Sequence, residues 1–266
     1  MKEGIVVEFK NLGGMSVTQR VKSVEQPRGG YIKPSDFEEN VLGDYDESIF
    51  DDINVHASLI GMAVDYLSRF MLSKDLVESF KISIYGAISI KKEEDAAILL
   101  NNVTGLDDTS IFNAIKLTGF DVVLRAGVQN YVPVESINPN EQAIAATRIL
   151  VERTLKFFDI YGPIVSDGFT FEGGYTDVIS TGDGDYLTND TLWDLKVLKN
   201  KFNKNHTLQI LIYWRMGLRS DYEAFKNVKY LGIFNPRKNT AYRFDVEKLS
   251  DDIIKEIDEK VIGYEN

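Results

Sequence analysis

The sequence predicts an α/β (α+β) fold, a mixed sheet flanked by helices with a mainly helical block ahead of it. Three observations carry this. The last hundred residues alternate strand-like and helical runs, the stretch before them is mostly helical in period, and the first 55 residues hold neither period for long. The chain therefore divides into an N-terminal arm (1–55), a helical block that includes a core helix (56–164) and an α/β core (165–266).

In the arm, Gly13-Gly14, Pro27-Arg28-Gly29-Gly30, Pro34 and the acidic stretch Asp44 to Asp52 interrupt any regular element. Ser58 to Leu72 is a helix with Ser58 available as N-cap. Leu59, Ala63, Tyr66 and Phe70 form one apolar row and Ile60, Val64, Leu67 and Met71 another, so the helix is buried and Asp65 on its narrow polar stripe needs a partner. That partner is Arg69 at i+4 or a metal ion. Phe80 to Ile90 fits a strand and a helix about equally. Glu93 to Asn101 and Ser110 to Leu117 read as helices, the second capped by Thr109 and stopped by Gly119. A long helix from about Glu141 to Phe158 closes at Tyr161-Gly162-Pro163. Beyond it, Phe169 to Ile179, Tyr186-Leu187 and Leu192 to Leu198 read as strands. Thr207 to Met216 reads as a helix, Lys229 to Phe234 and Tyr242 to Val246 as a hairpin, and Ser250 to Val261 as a last amphipathic helix.

Composition narrows the chemistry. The 266 residues are 44% hydrophobic, enough for a sizeable core, and no apolar run approaches the roughly eighteen residues of a membrane span. The start, Met1 to Glu8, lacks the apolar core of a secretory signal, so the cytoplasm is the expected compartment. With no cysteine and only His56 and His206, disulfides, thiolate metal sites and cysteine nucleophiles are excluded; any metal is held mainly by oxygen. A net charge of −11 argues against holding nucleic acid by bulk electrostatics, but not against a carboxylate centre that acts on phosphate.

Asp177 stands at the end of one expected strand, with Asp194 and Lys196 two apart on another. Residues two apart share a face, so Asp194 and Lys196 point together while Leu195 points into the core. If the strands pair through the acidic hairpin of the 180s, two carboxylates and one ammonium meet in one cleft. Magnesium is commonly held by one or two carboxylates, and a lysine beside it can offset charge on a phosphate, so the set suits metal-dependent phosphodiester hydrolysis. A calcium loop starting at Asp183 is excluded, because Leu187 stands where an oxygen ligand is needed and Thr188 where glycine makes the turn. The hairpin is therefore expected to be solvated.

Three motifs in order, Gly174-Tyr175-Thr176-Asp177, Asp194-Leu195-Lys196 and Gln209-Ile210-Leu211-Ile212-Tyr213, resemble the G-x-x-D, D-x-K and Q-x-x-x-Y of the PD-(D/E)xK nuclease superfamily and its RecB-like exonuclease family. The resemblance covers roughly Phe169 to Val246. It implies a restriction-endonuclease-like core and a Mg2+ (or Mn2+) ion on Asp177, Asp194 and the Leu195 carbonyl. It further implies that Lys196 is the catalytic lysine and that Gln209 and Tyr213 line the active-site side. Family members usually add an upstream acid or histidine. Here His56, Asp65 and Glu152 compete, and Asp65, on a glycine-bearing helix, is the expected metal ligand. Glu152, flanked by Arg148 and Lys156, reads as an ordinary ion-paired surface residue. The expected function is a metal-dependent nuclease acting on DNA; the alternative is a nuclease-fold binding or interaction module with little or no catalysis. Lys199, Lys201, Lys204, Arg215 and Arg219, with Trp193 and Trp214, form either a basic and aromatic track for a phosphate backbone or a normal solvated face.

Overall fold

The computed structural model describes residues 13–265. The first twelve residues of the expected arm, including the start read for a signal, lie outside the described residues. A two-residue strand β1 (Met15–Ser16) leads into α1 (Val17–Ser23), and β2 (Glu38–Val41) follows. The helical block comprises α2 (Ala57–Ser73), α3 (Leu76–Ser79), α4 (Lys81–Ser89), α5 (Glu93–Asn101), α6 (Asp108–Leu117), α7 (Asp121–Arg125) and α8 (Glu141–Tyr161). Then come β3 (Ile164–Phe169), β4 (Ile179–Thr181), β5 (Gly184–Thr188), β6 (Thr191–Leu195), α9 (Lys204–Arg219), β7 (Tyr230–Asn235), β8 (Thr240–Asp245) and α10 (Asp251–Glu256). This last helix continues into a π-helical turn over Ile257–Ile262.

Six strands form one mixed sheet in the order β2-β8-β7-β6-β5-β3, antiparallel except for the β6–β7 pair. A parallel pair needs a crossover, and α9 supplies it. Alternation along each strand splits the core in two. Tyr186, Trp193, Leu195 and Phe234 face α8 and the helical block; Leu187, Leu192, Leu231 and Ile233 face α9, α1 and the C-terminal helix. The sheet is thus covered on both faces, and the mixed α/β class read from the sequence holds. On the helical side the join is aromatic: Phe157 of α8 stacks on Phe234 at 4.1 Å and meets Trp193 edge-on at 4.7 Å.

Local chemistry explains where the elements depart from expectation. The arm adds an edge strand, with all four β2 residues paired along β8. The ambiguous segment is helical. Phe80 and the small residues Ser83, Gly86 and Ala87 are buried, and a Cβ on Gly86 would come within 2.3 Å of the Phe120 carbonyl, while Ile88 is half exposed. The alternating isoleucines of that segment therefore do not form the buried face a strand would need. Helix α2 starts one residue earlier than expected, with His56 rather than Ser58 as its cap, and α6 is capped by Asp107 rather than Thr109. The strand expected from Phe169 to Ile179 does not form: β3 ends at Phe169 and β4 begins at Ile179. Gly173 takes a left-handed φ of +85°, and Gly174 lies so close to α9 that a Cβ would meet the Met216 carbonyl at 2.2 Å. The glycine pair turns the chain, and Asp177 falls in an exposed bend.

Phe157 ties the helical block to the sheet, so Phe157→Ala is expected to lower stability by about 3–5 kcal/mol in urea unfolding at unchanged slope. A loss under about 1 kcal/mol would mean that the aromatic join does not hold the layers together.

Candidate active site

Strands β5 and β6 pair with Tyr186 opposite Trp193 and Leu187 opposite Leu192. One step further along this antiparallel register Asp185 comes opposite Asp194, and residues opposite each other point to the same face. Oδ2 of Asp185 accepts the Leu195 N–H at 2.7 Å, which fixes that carboxylate at the end of the ladder. Asp194 and Lys196 share a face as their spacing requires, with Nζ 2.9 Å from Oδ1 of Asp194. Leu195 packs into the helical side of the core. Asp194 is only 2% exposed, and its second oxygen, Oδ2, is buried without a hydrogen-bond partner.

Leaving a buried acceptor unsatisfied costs on the order of 1–3 kcal/mol, and more for a charged one. Here a second acid stands beside it. Burial, then Asp194 and Asp65, push the Asp185 carboxyl up to about 8. Burial alone would lower the Lys196 pKa, but Asp194 and Asp185 outweigh it and hold the ammonium above the ordinary lysine range.

Helix α2 brings Asp65 to the same cleft, past Gly61, whose side stands open. Asp65 takes a two-pronged ion pair from Arg69, at 3.0 Å from Nε and 2.9 Å from Nη2, and accepts the Tyr186 hydroxyl at 2.8 Å. Both carboxylate oxygens are therefore engaged. Arg69 also reaches to 3.9 Å from Asp185. Helix α9 contributes Gln209, whose Nε2 donates to the Tyr213 hydroxyl at 2.8 Å, while the Tyr213 ring stacks on Phe171. His206 caps this helix through Nδ1, which accepts the Asn203 N–H; burial and then Lys196 lower its pKa.

Asp65, Asp194, Leu195, Lys196, Gln209 and Tyr213, six of the seven residues expected from the sequence, thus line one cleft of about 520 Å³. Asp177 does not. It is exposed and borders a separate cavity with Gly13, Gly14, Tyr175 and Thr176, because the turn at Gly173-Gly174 carries it off the sheet. The carboxylate beside Asp194 is Asp185, which belongs to a hairpin expected to be solvated but is paired into the sheet through β5. The missed signal is a second G-x-x-D, Gly182-Asp183-Gly184-Asp185, running directly into the apolar Tyr186-Leu187. Among the other upstream candidates, His56 spends Nδ1 on the Ser58 N–H as a helix cap. Glu152 is exposed on α8, and Arg148, instead of pairing with it, turns to Asp108 and the Leu106 carbonyl.

Of the five cations read as either a basic and aromatic track or a normal solvated face, four carry ion pairs and Lys204 is exposed. Lys199 pairs with Glu47, Lys201 with Glu39, and Arg215 and Arg219 with Asp258. Trp193 and Trp214 are buried.

Among the described residues, no group of three or more His, Asp or Glu side chains is placed to hold a metal ion. What converges is a pair, Asp185 and Asp194, with Asp65 engaged by Arg69. Comparison with known proteins adds no relative: no family model, curated protein or solved structure matches the chain.

The raised pKa of Asp185 fixes a sign. The group's contribution to stability is complete below about pH 4 and is lost as pH rises through about 8. With a chelator present, Asp185→Asn is expected to match the parent near pH 4 and to exceed it near pH 8 by at least about 1.4 kcal/mol, one unit's worth of linkage. Parallel stability-against-pH curves for the two proteins would rule out the strained acid pair.

Proposed function

We propose that the protein is a divalent-metal-dependent nuclease that hydrolyses phosphodiester bonds in DNA, on a restriction-endonuclease-like core of the PD-(D/E)xK type. The observation that carries this reading is the buried, unpartnered Oδ2 of Asp194 beside a second carboxylate whose proton affinity is abnormally high. Two crowded acids with one orphaned oxygen form a site short of positive charge, and an oxygen-preferring cation is the ligand that relieves it. In this reading Gly182 to Asp185 takes the G-x-x-D role expected of Gly174 to Asp177.

The residues fit such an ion. Asp185 and Asp194 would hold it with the Leu195 carbonyl; two carboxylates are enough for Mg2+ or Mn2+, which keep several waters. When bound, the ion supplies Lewis-acid polarisation and charge neutralisation at the scissile phosphate. The chain's own groups do the rest. Lys196 keeps its ammonium charged and oriented through Asp194, so it can hydrogen-bond the attacking water or the phosphate oxygens as negative charge gathers there. Arg69 ties Asp65 to Asp185 and restrains the acid pair from behind. Gln209 and Tyr213 hold each other in place along the opposite wall.

The test is cleavage of linear and circular, single- and double-stranded DNA with Mg2+, Mn2+ or chelator. Metal-dependent cleavage is expected to fall by about 10²-fold or more in Asp185→Asn, Asp194→Asn and Lys196→Ala, and to persist in Asp177→Asn. Binding without cleavage under every metal condition would replace the enzyme with a binding module. Loss of cleavage in Asp177→Asn alone would give the G-x-x-D role to Gly174 to Asp177.

A further inference from the structure

Arg125, at the end of α7, belongs to none of the three motifs, yet it lines the cleft. It is anchored from behind by a network that the site chemistry leaves unexplained. Asp121 is fully buried in the helical block and accepts the hydroxyls of Tyr66 and Ser83, each at 2.5 Å. Nε of Arg125 lies 3.5 Å from the Asp121 carboxylate, and Nη2 donates to the Tyr66 hydroxyl at 3.2 Å. On the cleft side Nη2 is 3.6 Å from Asp183, two residues before Asp185.

A guanidinium serving only to neutralise a buried acid is expected to grip it with both prongs, as Arg69 grips Asp65 and Arg215 grips Asp258. Arg125 instead touches Asp121 by one edge and keeps 43% of its side chain exposed. Its partner in the cleft, Asp183, is 51% exposed, and a pair that open to water is worth little and exchanges readily. Among the described residues lining the cleft, Arg125 and Lys196 are the only arginine and lysine, facing Asp65, Asp183, Asp185 and Asp194. A strand entering this acidic cleft needs a donor that can leave its carboxylate for a phosphate, and the planar fork of arginine matches that geometry.

We propose that Arg125 binds a backbone phosphate of the nucleic-acid strand, exchanging Asp183 for it, with Asp121 and Tyr66 as the residues that position the guanidinium. The proposal rests on the nuclease reading for the identity of the polyanion. The helical block is then part of the substrate site as well as of the core.

Binding of a fluorescent oligonucleotide in the presence of Ca2+, followed by anisotropy across a salt series, tests it. Because Arg125→Ala leaves Asp121 buried without its cation, the informative variant is Arg125→Gln combined with Asp121→Asn, its fold checked by circular dichroism. The expected result is an affinity about tenfold weaker and a log–log salt slope lower by about one. Arg125→Lys, which keeps the charge without the fork, should lose affinity but keep the slope. An unchanged slope and affinity in the folded double variant overturns the role of Arg125; if the parent still cleaves with metal, the nuclease reading survives that failure. A lowered slope in a protein that never cleaves keeps the phosphate contact and overturns the nuclease. A parent that binds no oligonucleotide overturns both.

Discussion

The antiparallel register between β5 and β6 is the constraint on which the site depends. Because Tyr186 lies opposite Trp193, Asp185 falls opposite Asp194, and the two acids have no freedom to separate along the ladder. The register is enforced from both faces. Tyr186 and Trp193 are buried against the helical block, and Leu187 and Leu192 against α9 and its neighbours. A slip of one residue would exchange these faces and expose or mispack all four side chains. The same ladder recruits the upstream acid: the Tyr186 hydroxyl reaches Asp65, so α2 is joined to the sheet at the point where the acids meet.

Much of this arrangement was legible in the sequence because it rests on period. Two-residue spacing put Asp194 and Lys196 on one face and Leu195 on the other, and four-residue spacing joined Gln209 to Tyr213; both are local and survive folding. Asp65 with Arg69 was readable for the same reason. The partner of Asp194 was not, because a cross-strand neighbour is set by where a strand begins and turns. Two G-x-x-D runs lie eight residues apart, and choosing between them needs the fact that the chain turns away at Gly173-Gly174 and re-enters the sheet only at Gly184. The helix at Lys81–Ser89 was obscured by a similar non-local cause, since its buried side is made of small residues fitted to the Phe120 turn.

Elsewhere the protein handles its buried charges conservatively. Asp258 receives two hydrogen bonds from Arg215, Asp65 two from Arg69, and Asp121 is met by two hydroxyls with Arg125 at 3.5 Å. Burying an ion without such partners is costly enough that these arrangements are the rule. A net charge of −11 does not by itself produce the imbalance at Asp194, because Glu39, Glu47 and Asp258 are each matched to lysines or arginines close by.

A contrast with Glu47 isolates what is unusual. Its Oε2 also lacks a hydrogen bond, yet Lys238 lies 4.0 Å from that oxygen and Arg237 and Lys199 approach Oε1, so the local surplus is of cations. At Asp194 the surplus is of carboxylates, with Asp185 opposite and a single lysine on the other oxygen. A surplus of cations around an acid is stabilising by itself, whereas crowded acids destabilise the fold unless something outside the chain relieves them. A purely structural role would be better served by an asparagine or an apolar residue at Asp185 or Asp194, which makes the retained imbalance an argument for a site whose stability is sacrificed to a ligand's charge.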